Sequence, residues 1–284
     1  MMKIRLHPML LCCALLAAPA VAFAHTTLNV ATYNLRLNVA SDGANAWPQR
    51  REMVKSLVRY HEFDVFATQE GLPGQIDDLA GMEEYGHVGA GRDDGKDKGE
   101  HSTIFFRRDR FALLHSGDYW LSQTPDRPSL GWDATCCNRI ASWAELRDKA
   151  SGDRFFFFSV HFDHQGEVAR RESAKLMLRK IREIAGAAPV ICAGDFNSTP
   201  DTEQVRTMQT MLADARAISA TPPYGPEGTF EDFKIDSPLD RRIDYVFVSP
   251  QVKVLSYAAL TDSRNGRFPS DHLPVVVRAE VGDR

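Results

Sequence analysis

A run of four consecutive phenylalanines, Phe155–Phe158, restricts the fold of this chain more than any other sequence feature. Alternate residues of a β-strand point to opposite faces of a sheet, so an apolar run without alternation must be covered on both faces. A strand of this kind belongs in the interior of a layered domain. We therefore expect a protein that is built from packed sheets.

The other apolar patterns predict strands and helices that alternate at first and cluster later in the chain. The predicted strands cover residues 28–34, 64–70, 103–106, 111–117, 140–146, 154–161, 189–193, 242–248 and 275–281. The predicted helices cover residues 47–60, 73–82 and 167–185. No repeat or Pro/Gly-rich linker divides the sequence, which favours one α+β or α/β domain on packed sheets.

The first 24 residues are typical of a secretory signal peptide. Lys3 and Arg5 precede an apolar run, and Ala22-Phe23-Ala24 has the small-x-small form of a cleavage site. The run is too short and wrongly flanked for a membrane span. We predict cleavage after Ala24, a secreted or periplasmic location, and one domain over residues 25–284 that has no membrane span.

Three cysteines remain after residue 24, and an odd number cannot form a complete disulfide framework. Cys192 lies in an apolar strand pattern, where a buried free thiol is common. Adjacent cysteines rarely bridge each other, so we do not expect a bond between Cys136 and Cys137. A bond from either of them to a distant partner stays open.

Polar side chains lie at or beside the ends of several predicted strands and define a candidate site. Its members are Asn34, Glu70, His161, Asp195, Asn197, Asp244, Asp271 and His272. Carboxylate and amide oxygens suit Mg²⁺, Mn²⁺ or Ca²⁺, and histidines can transfer protons near neutral pH. Together these groups are suited to the hydrolysis of a phosphate ester.

Each of these residues also has a purely structural explanation. Asp195 and Asn197 could form a turn before a helix that starts after Pro200, and Glu70 could cap a helix. The agreement of the whole set favours a functional site over separate structural explanations.

The candidate residues stand in six motifs that resemble those of the endonuclease/exonuclease/phosphatase superfamily, in the order of that family. The motifs are Thr32-Tyr33-Asn34, Thr68-Gln69-Glu70, Val160-His161, Gly194-Asp195-Phe196-Asn197, Ile243-Asp244-Tyr245 and Ser270-Asp271-His272. The resemblance implies a four-layer α/β sandwich, with two mixed β-sheets face to face and helices outside. It also implies a metal-dependent hydrolase that acts on phosphoric mono- or diesters.

The resemblance further implies a metal site. Glu70 would bind the ion, with Asn34 and Asp271 beside it. The expected ion is Mg²⁺, with Mn²⁺ or Ca²⁺ as alternatives.

Catalytic roles follow from the same resemblance. Asp195 would orient or deprotonate the attacking water, and Asn197 would hold a phosphate oxygen. His272, held by Asp244, would contact the phosphate or act as a base. His161 would stabilise or protonate the leaving group.

Four residues outside the motifs are candidates for substrate binding: Arg36, His101, Arg139 and His164. For His164 the structural alternative is that it, or Asp163, caps the following helix. The segment from His161 to His164 also resembles the end of a His-x-His-x-Asp-His zinc signature. Ser159 stands where that signature needs its first histidine, so zinc is not favoured.

Two hypotheses differ in the substrate that they assign to the enzyme. Loss of Lys3 and Arg5 would change the formal charge from −4 to −6, and an acidic exported protein favours a small-molecule or lipid-headgroup ester over a polyanion. An extracellular nuclease acting on DNA or RNA would need a basic groove, for which the candidates are Arg92, Lys96, Lys98 and Arg139. A third hypothesis is a non-catalytic binding protein. The intact set of site residues argues against this hypothesis. A monomer is expected.

Overall fold

The computed structural model describes residues 2–3 and 25–282 of the 284-residue chain. The predicted signal peptide therefore lies, apart from Met2 and Lys3, outside the described residues, and cleavage after Ala24 stays a prediction. Within the described ranges no helix is long and apolar enough to cross a bilayer.

Twelve strands and five helices make up the described part of the fold. The strands are β1 (Thr26–Asn34), β2 (Val65–Gln69), β3 (Tyr85–Val88), β4 (Ile104–Arg107), β5 (Phe111–Trp120), β6 (Ile140–Asp148), β7 (Arg154–His161), β8 (Val190–Asp195), β9 (Ala213–Asp214), β10 (Asp244–Val248), β11 (Lys253–Ala259) and β12 (Val275–Val281). The helices are α1 (Trp47–Tyr60), α2 (Pro73–Ala80), α3 (Glu167–Ala185), α4 (Glu203–Gln209) and α5 (Ala215–Ile218), and a 3₁₀ segment covers Ala40–Asn45.

The strands form two six-stranded mixed sheets. The first has the order β11-β12-β1-β2-β4-β3 and the second the order β5-β6-β7-β8-β10-β9. The pairs β1–β2 and β7–β8 are parallel, and the other pairs are antiparallel. The two sheets pack face to face with helices outside, which confirms the four-layer sandwich.

The phenylalanine run lies at the centre of this arrangement. Phe155 and Phe157 belong to the core between the two sheets, together with Val30 and Val277 of the first sheet. Phe156 and Phe158 point to the other face, into the apolar layer beneath α3. The strand is therefore covered on both faces, as its sequence requires.

The helix after Pro200, which the structural alternative for Asn197 supposed, is α4. Four elements were not predicted, namely β3, β9, β11 and α5. They are short or lie at a sheet edge, and the β11–β12 pairing shifts register between Val254 and Ser256. A bulge interrupts the two-residue period on which strand prediction depends.

The expectation for the cysteines was wrong. Cys136 and Cys137 form a disulfide with each other, in the loop between β5 and β6. Cys192 is a buried free thiol in β8, so it does not bridge to either of them. Neither Cys136 nor Cys137 therefore bridges to a distant cysteine among the described residues.

Candidate active site

The strand register places Asp195 at the centre of the candidate site. Asp195 ends β8, where it lies opposite His161 of β7 on one side and Asp244 of β10 on the other. Its Oδ2 accepts a hydrogen bond from Asn34 Nδ2 at 3.0 Å and lies 3.6 Å from His161 Nε2 and 3.9 Å from His272 Nε2. Residues from both sheets therefore converge on one buried carboxylate.

His272 and Asp244 form a buried pair beside this carboxylate. His272 Nδ1 donates to Asp244 Oδ2 at 2.8 Å, and the hydroxyl of Thr229 donates to the same oxygen at 2.6 Å. Burial disfavours the charged imidazole, but the Asp244 carboxylate and its hydrogen bond, and then Asp195, raise the pKa of His272 well above its usual value. His272 is therefore positively charged at neutral pH.

His161 has the opposite electrostatic environment. Arg139 Nη1 lies 3.0 Å from its Nδ1 and 3.1 Å from its Nε2, and a guanidinium group can only donate. Burial, followed by the charges of Arg139 and Arg92, lowers the pKa of His161 well below its usual value. The two histidines on either side of Asp195 thus differ in charge, which assigns them different chemical tasks.

Asp195 itself is poised to accept a proton. Burial and the nearby charge of Asp244 raise the pKa of Asp195 to about 7, although His272 opposes the shift. Oδ1 is fixed because it accepts the backbone N–H of Asn197 at 2.8 Å. A carboxyl group with a pKa near neutrality suits a general base.

The predicted metal residues lie next to this centre. Asn34 Nδ2 also donates to Glu70 Oε1 at 3.1 Å, and Glu70 Oε2 accepts the backbone N–H of Leu37 at 3.0 Å. Asp271 is joined to Asn34 by the Ser270 hydroxyl, which donates to the Asn34 carbonyl at 2.7 Å. Burial and the charge of Glu70 raise the pKa of Asp271, while His272 acts against the shift.

These donors fit a divalent cation. Glu70, Asp271 and Asn34 offer the hard oxygens that Mg²⁺ prefers. Ligand atoms of Asp195, Asp244 and His272 also lie within 4.8 Å of one another, and the buried Asp244 Oδ1 has no hydrogen-bond partner in the described part of the chain. A cation would compensate this concentration of buried carboxylates.

Three strands end at this edge in a left-handed residue that is not glycine. The φ angles are 54° at Arg36 after β1, 61° at Glu70 after β2 and 46° at Asn197 after β8. Such conformations cost about 1–3 kcal/mol each, and they concentrate at functional sites. Asn197 lies in a bend, where its backbone N–H donates to Asp195 Oδ1 at 2.8 Å, and its Nδ2 donates to the Phe162 carbonyl at 3.1 Å.

Two of the substrate-binding candidates make their hydrogen bonds with residues other than Asp195. Arg36 makes two hydrogen bonds of 3.0 Å to Asp42, and its Nε is 3.9 Å from Asp271. His101 is buried, with Nδ1 3.2 Å from the Gly71 carbonyl oxygen.

The other two candidates lie together beside His161. Arg139 Nη2 donates to His164 Nδ1 at 2.7 Å. Neither His164 nor Asp163 caps α3: the Asp163 Oδ1 accepts the backbone N–H groups of Gln165 and Gly166 just before the helix, and Asp133 accepts those of its first turn.

Sequence reasoning missed several residues that build the site. Glu100 lies 3.8 Å from His161, Thr229 bonds Asp244, and Glu231 is buried with both oxygens unpaired among the residues described. Thr229 and Glu231 stand in an irregular segment without periodicity. Glu100 follows an acidic and basic loop that is typical of a solvated surface.

Comparisons with known proteins agree with this geometry. Residues 31–272 match the Endonuclease/Exonuclease/phosphatase family. A family member of known structure from Bacteroides thetaiotaomicron is 42% identical, with a TM-score of 0.89, over 92% of this chain and 100% of that one. The mannosyl-6-phosphatase of the same bacterium is 42% identical, with a TM-score of 0.85, over 89% of this chain and 99% of that one.

A curated relative, an uncharacterized protein of Acanthamoeba polyphaga mimivirus, is 28% identical over 159 residues. This match covers 54% of the chain and 59% of the relative. The family match covers most of the chain and contains all six motifs. The chain therefore belongs to the endonuclease/exonuclease/phosphatase family of metal-dependent phosphoester hydrolases.

Proposed function

We propose that this protein is an exported phosphoesterase that uses Mg²⁺ to hydrolyse the phosphate ester of a small molecule, such as a phosphorylated sugar. The observation that carries the proposal is the placement of two histidines with opposite environments on either side of Asp195: His272 is paired with Asp244, and His161 is contacted by Arg139. The 42% identity to a mannosyl-6-phosphatase supports a small substrate. Export is supported by the signal-like N-terminus and by a disulfide, since disulfides persist mainly in oxidising compartments.

In this proposal, water attacks phosphorus and the bond from phosphorus to the leaving oxygen breaks. Asp195 takes a proton from the attacking water, and the charged His272 binds a phosphate oxygen. His161, whose pKa is lowered, donates a hydrogen bond to the leaving oxygen; the alkoxide that departs takes its proton from solvent water, and Asp195 returns its proton to solvent. Glu70, with Asn34 and Asp271 beside it, would hold Mg²⁺, which would supply charge neutralisation at the phosphate.

The nuclease alternative has less support on this surface. Arg92 and Arg139 do share Glu100 at the site, with Nη1–Oε2 distances of 2.5 and 4.0 Å. The loop that carries Lys96 and Lys98 also contains three aspartates, Asp93, Asp94 and Asp97. Alternating charge is unfavourable for a continuous phosphate-binding groove.

The test is a turnover assay of purified residues 25–284 with Mg²⁺, Mn²⁺, Ca²⁺ or EDTA. The substrates are mannose 6-phosphate, p-nitrophenyl phosphate, bis(p-nitrophenyl) phosphate, and single- and double-stranded DNA. We expect metal-dependent hydrolysis of the small esters, lost in Asp195→Asn and retained in the exposed control Asp109→Asn. Preferred cleavage of DNA would instead establish the nuclease.

Export has its own measurement. The full-length chain is expressed in a bacterium with a periplasm, and the mass of the protein in each cell fraction is determined. We expect a periplasmic or secreted product that begins at His25. An uncleaved product confined to the cytoplasm would contradict export without affecting the assignment of the reaction.

A further inference from the structure

We propose that Arg139, with His164 at the rim, binds the terminal oxygens of a phosphate monoester and makes the enzyme select monoesters over diesters. This inference rests on the proposed phosphoesterase function, and it names the class of ester that the same site accepts.

The position of Arg139 is the first argument. The residue comes directly before β6, and it is only 6% exposed. Its two Nη atoms donate to His161 and to His164, at 3.0 and 2.7 Å. His161 Nε2 is in turn 3.6 Å from Asp195 Oδ2, so the guanidinium lies one imidazole ring away from the catalytic carboxylate.

The charge of Arg139 is poorly compensated, which is the second argument. Its nearest carboxylate oxygens are Asp163 Oδ2 at 3.5 Å and Glu100 Oε2 at 4.0 Å. Arg139 Nε donates the 3.5 Å hydrogen bond to Asp163 Oδ2, whereas Asp163 Oδ1 accepts two backbone N–H groups, and Glu100 is held by Arg92 at 2.5 Å. A buried cation whose ion pairs are this long gains little from them, and an anionic ligand beside it adds compensation.

Arg92 extends the same cationic region. Its guanidinium is largely buried, and Nε has no hydrogen-bond partner among the described residues. Arg92, Arg139 and His161 line one small cavity together with Glu100 and His101. The two arginines thus share Glu100 at the wall of the site, and their other carboxylate contacts, Arg139 to Asp163 and Arg92 to Asp93, are 3.5 and 3.9 Å long.

The chemistry of the two ester classes gives the selectivity. A monoester has three terminal oxygens and carries between one and two negative charges near pH 7, because its second pKa is about 6. A guanidinium fork binds two such oxygens with good geometry. A diester carries one charge, and a carbon substituent replaces one terminal oxygen. The diester therefore gains little from this guanidinium, so Arg139 favours the monoester.

A matched pair of substrates tests the inference: p-nitrophenyl phosphate and methyl p-nitrophenyl phosphate, which share a leaving group. For Arg139→Met we expect kcat/KM for the monoester to fall about 10- to 100-fold, as for loss of a charge-assisted hydrogen bond. The value for the diester should change less than about 3-fold. For the monoester, kcat/KM of Arg139→Lys should lie between those of the wild type and Arg139→Met, because lysine keeps the charge but not the two-pronged geometry of the guanidinium. Arg147→Met, at the exposed end of β6, is the control, with both values unchanged.

An equal loss on both substrates would overturn the inference, and would make Arg139 a residue that only positions His161. An inactive wild-type enzyme would contradict the proposed function instead. In that case, calorimetric titration with inorganic phosphate still tests whether Arg139 binds phosphate, because Arg139→Met should then weaken phosphate binding about 10-fold or more. Equal phosphate binding by the wild type and the variant would refute the subsite. Thermal unfolding followed by circular dichroism verifies that each variant is folded.

Discussion

Replacing Asp244 by asparagine separates the charge of the Asp244–His272 pair from its geometry. The Asp244 oxygen that accepts from His272 at 2.8 Å also accepts from Thr229 at 2.6 Å. An asparagine side-chain oxygen in the same place can accept both hydrogen bonds. The substitution therefore removes one negative charge and leaves the arrangement of the pair nearly intact.

The expected magnitudes follow from the 2.8 Å separation. At an effective dielectric constant of about 20, two unit charges at this distance attract by about 6 kcal/mol. Desolvation costs several kcal/mol for each buried ion, so the net change in the free energy of unfolding should stay below about 3 kcal/mol. The effect on protonation is larger, because burial alone lowers the pKa of a histidine.

The effects of Asp244 and of burial on the pKa of His272 determine how kcat/KM depends on pH. The pKa of His272 is raised, so the wild-type imidazole keeps its charge as the pH rises through 7. In Asp244→Asn the opposing effect of burial prevails, and the charge should be lost below the ordinary value of about 6.5. We expect kcat/KM at pH 8 to fall about 100-fold or more, with a smaller loss at pH 5.5.

The assay combines turnover between pH 5.5 and 8.5 with an NMR titration of the His272 ring. An unchanged His272 titration in the variant would refute the electrostatic reasoning. An unchanged kcat/KM at pH 8 would show that the charge on His272 does not contribute to the reaction. Asp244→Ala is the comparison for geometry, since it leaves the buried histidine unpaired and should cost about 3–5 kcal/mol of stability.

Three further substitutions test the fold around the site. Burial and the charge of Asp271 raise the pKa of Glu231 to about 8, so the stability of the wild-type protein should decrease as the pH rises from about 4.5 to 8. In thermal unfolding with EDTA, Glu231→Gln should lack this decrease and be about 1–3 kcal/mol more stable than the wild type at pH 8. The same pH dependence in both proteins would contradict the raised pKa of Glu231. Asp133 accepts two backbone N–H groups in the first turn of α3. In urea unfolding, Asp133→Ala should therefore reduce the free energy of unfolding by about 0.5–2 kcal/mol. An unchanged free energy would mean that water replaces this cap. A Cβ at Gly194 would lie 2.0 Å from the Val160 carbonyl oxygen, so Gly194→Ala should cost about 3 kcal/mol or more in the same assay, and a stable variant would show that β7 and β8 can separate.

The sequence predicted the layered fold well because its strongest signals are local. The unbroken apolar run Phe155–Phe158 required cover on both faces, and the helix at 167–185 has a clear period. Both elements lie where the pattern placed them. Strand β11 escaped prediction because its pairing shifts register and because it is at the edge of its sheet.

The proximity of the candidate site residues could be predicted from the sequence, but their electrostatic environment could not. Asn34, Asp195 and His161 stand at strand ends, and the register of the sheets brings them together. No sequence pattern shows that the pKa of His161 is lowered and that of His272 raised, because these shifts depend on Arg139 and Asp244 at positions distant in the chain. Their roles in turnover stay predictions that the variants above will test.

The Cys136–Cys137 disulfide has an unusual thermodynamic consequence. A cross-link stabilises a protein mainly by restricting the unfolded chain, and the restriction grows with the length of chain that it encloses. A bond between neighbours encloses no chain, so reduction should leave the melting temperature nearly unchanged. Its influence is confined to the loop between β5 and β6, which leads directly into Arg139. The oxidation state of this loop can therefore change the wall of the site without changing the stability of the protein.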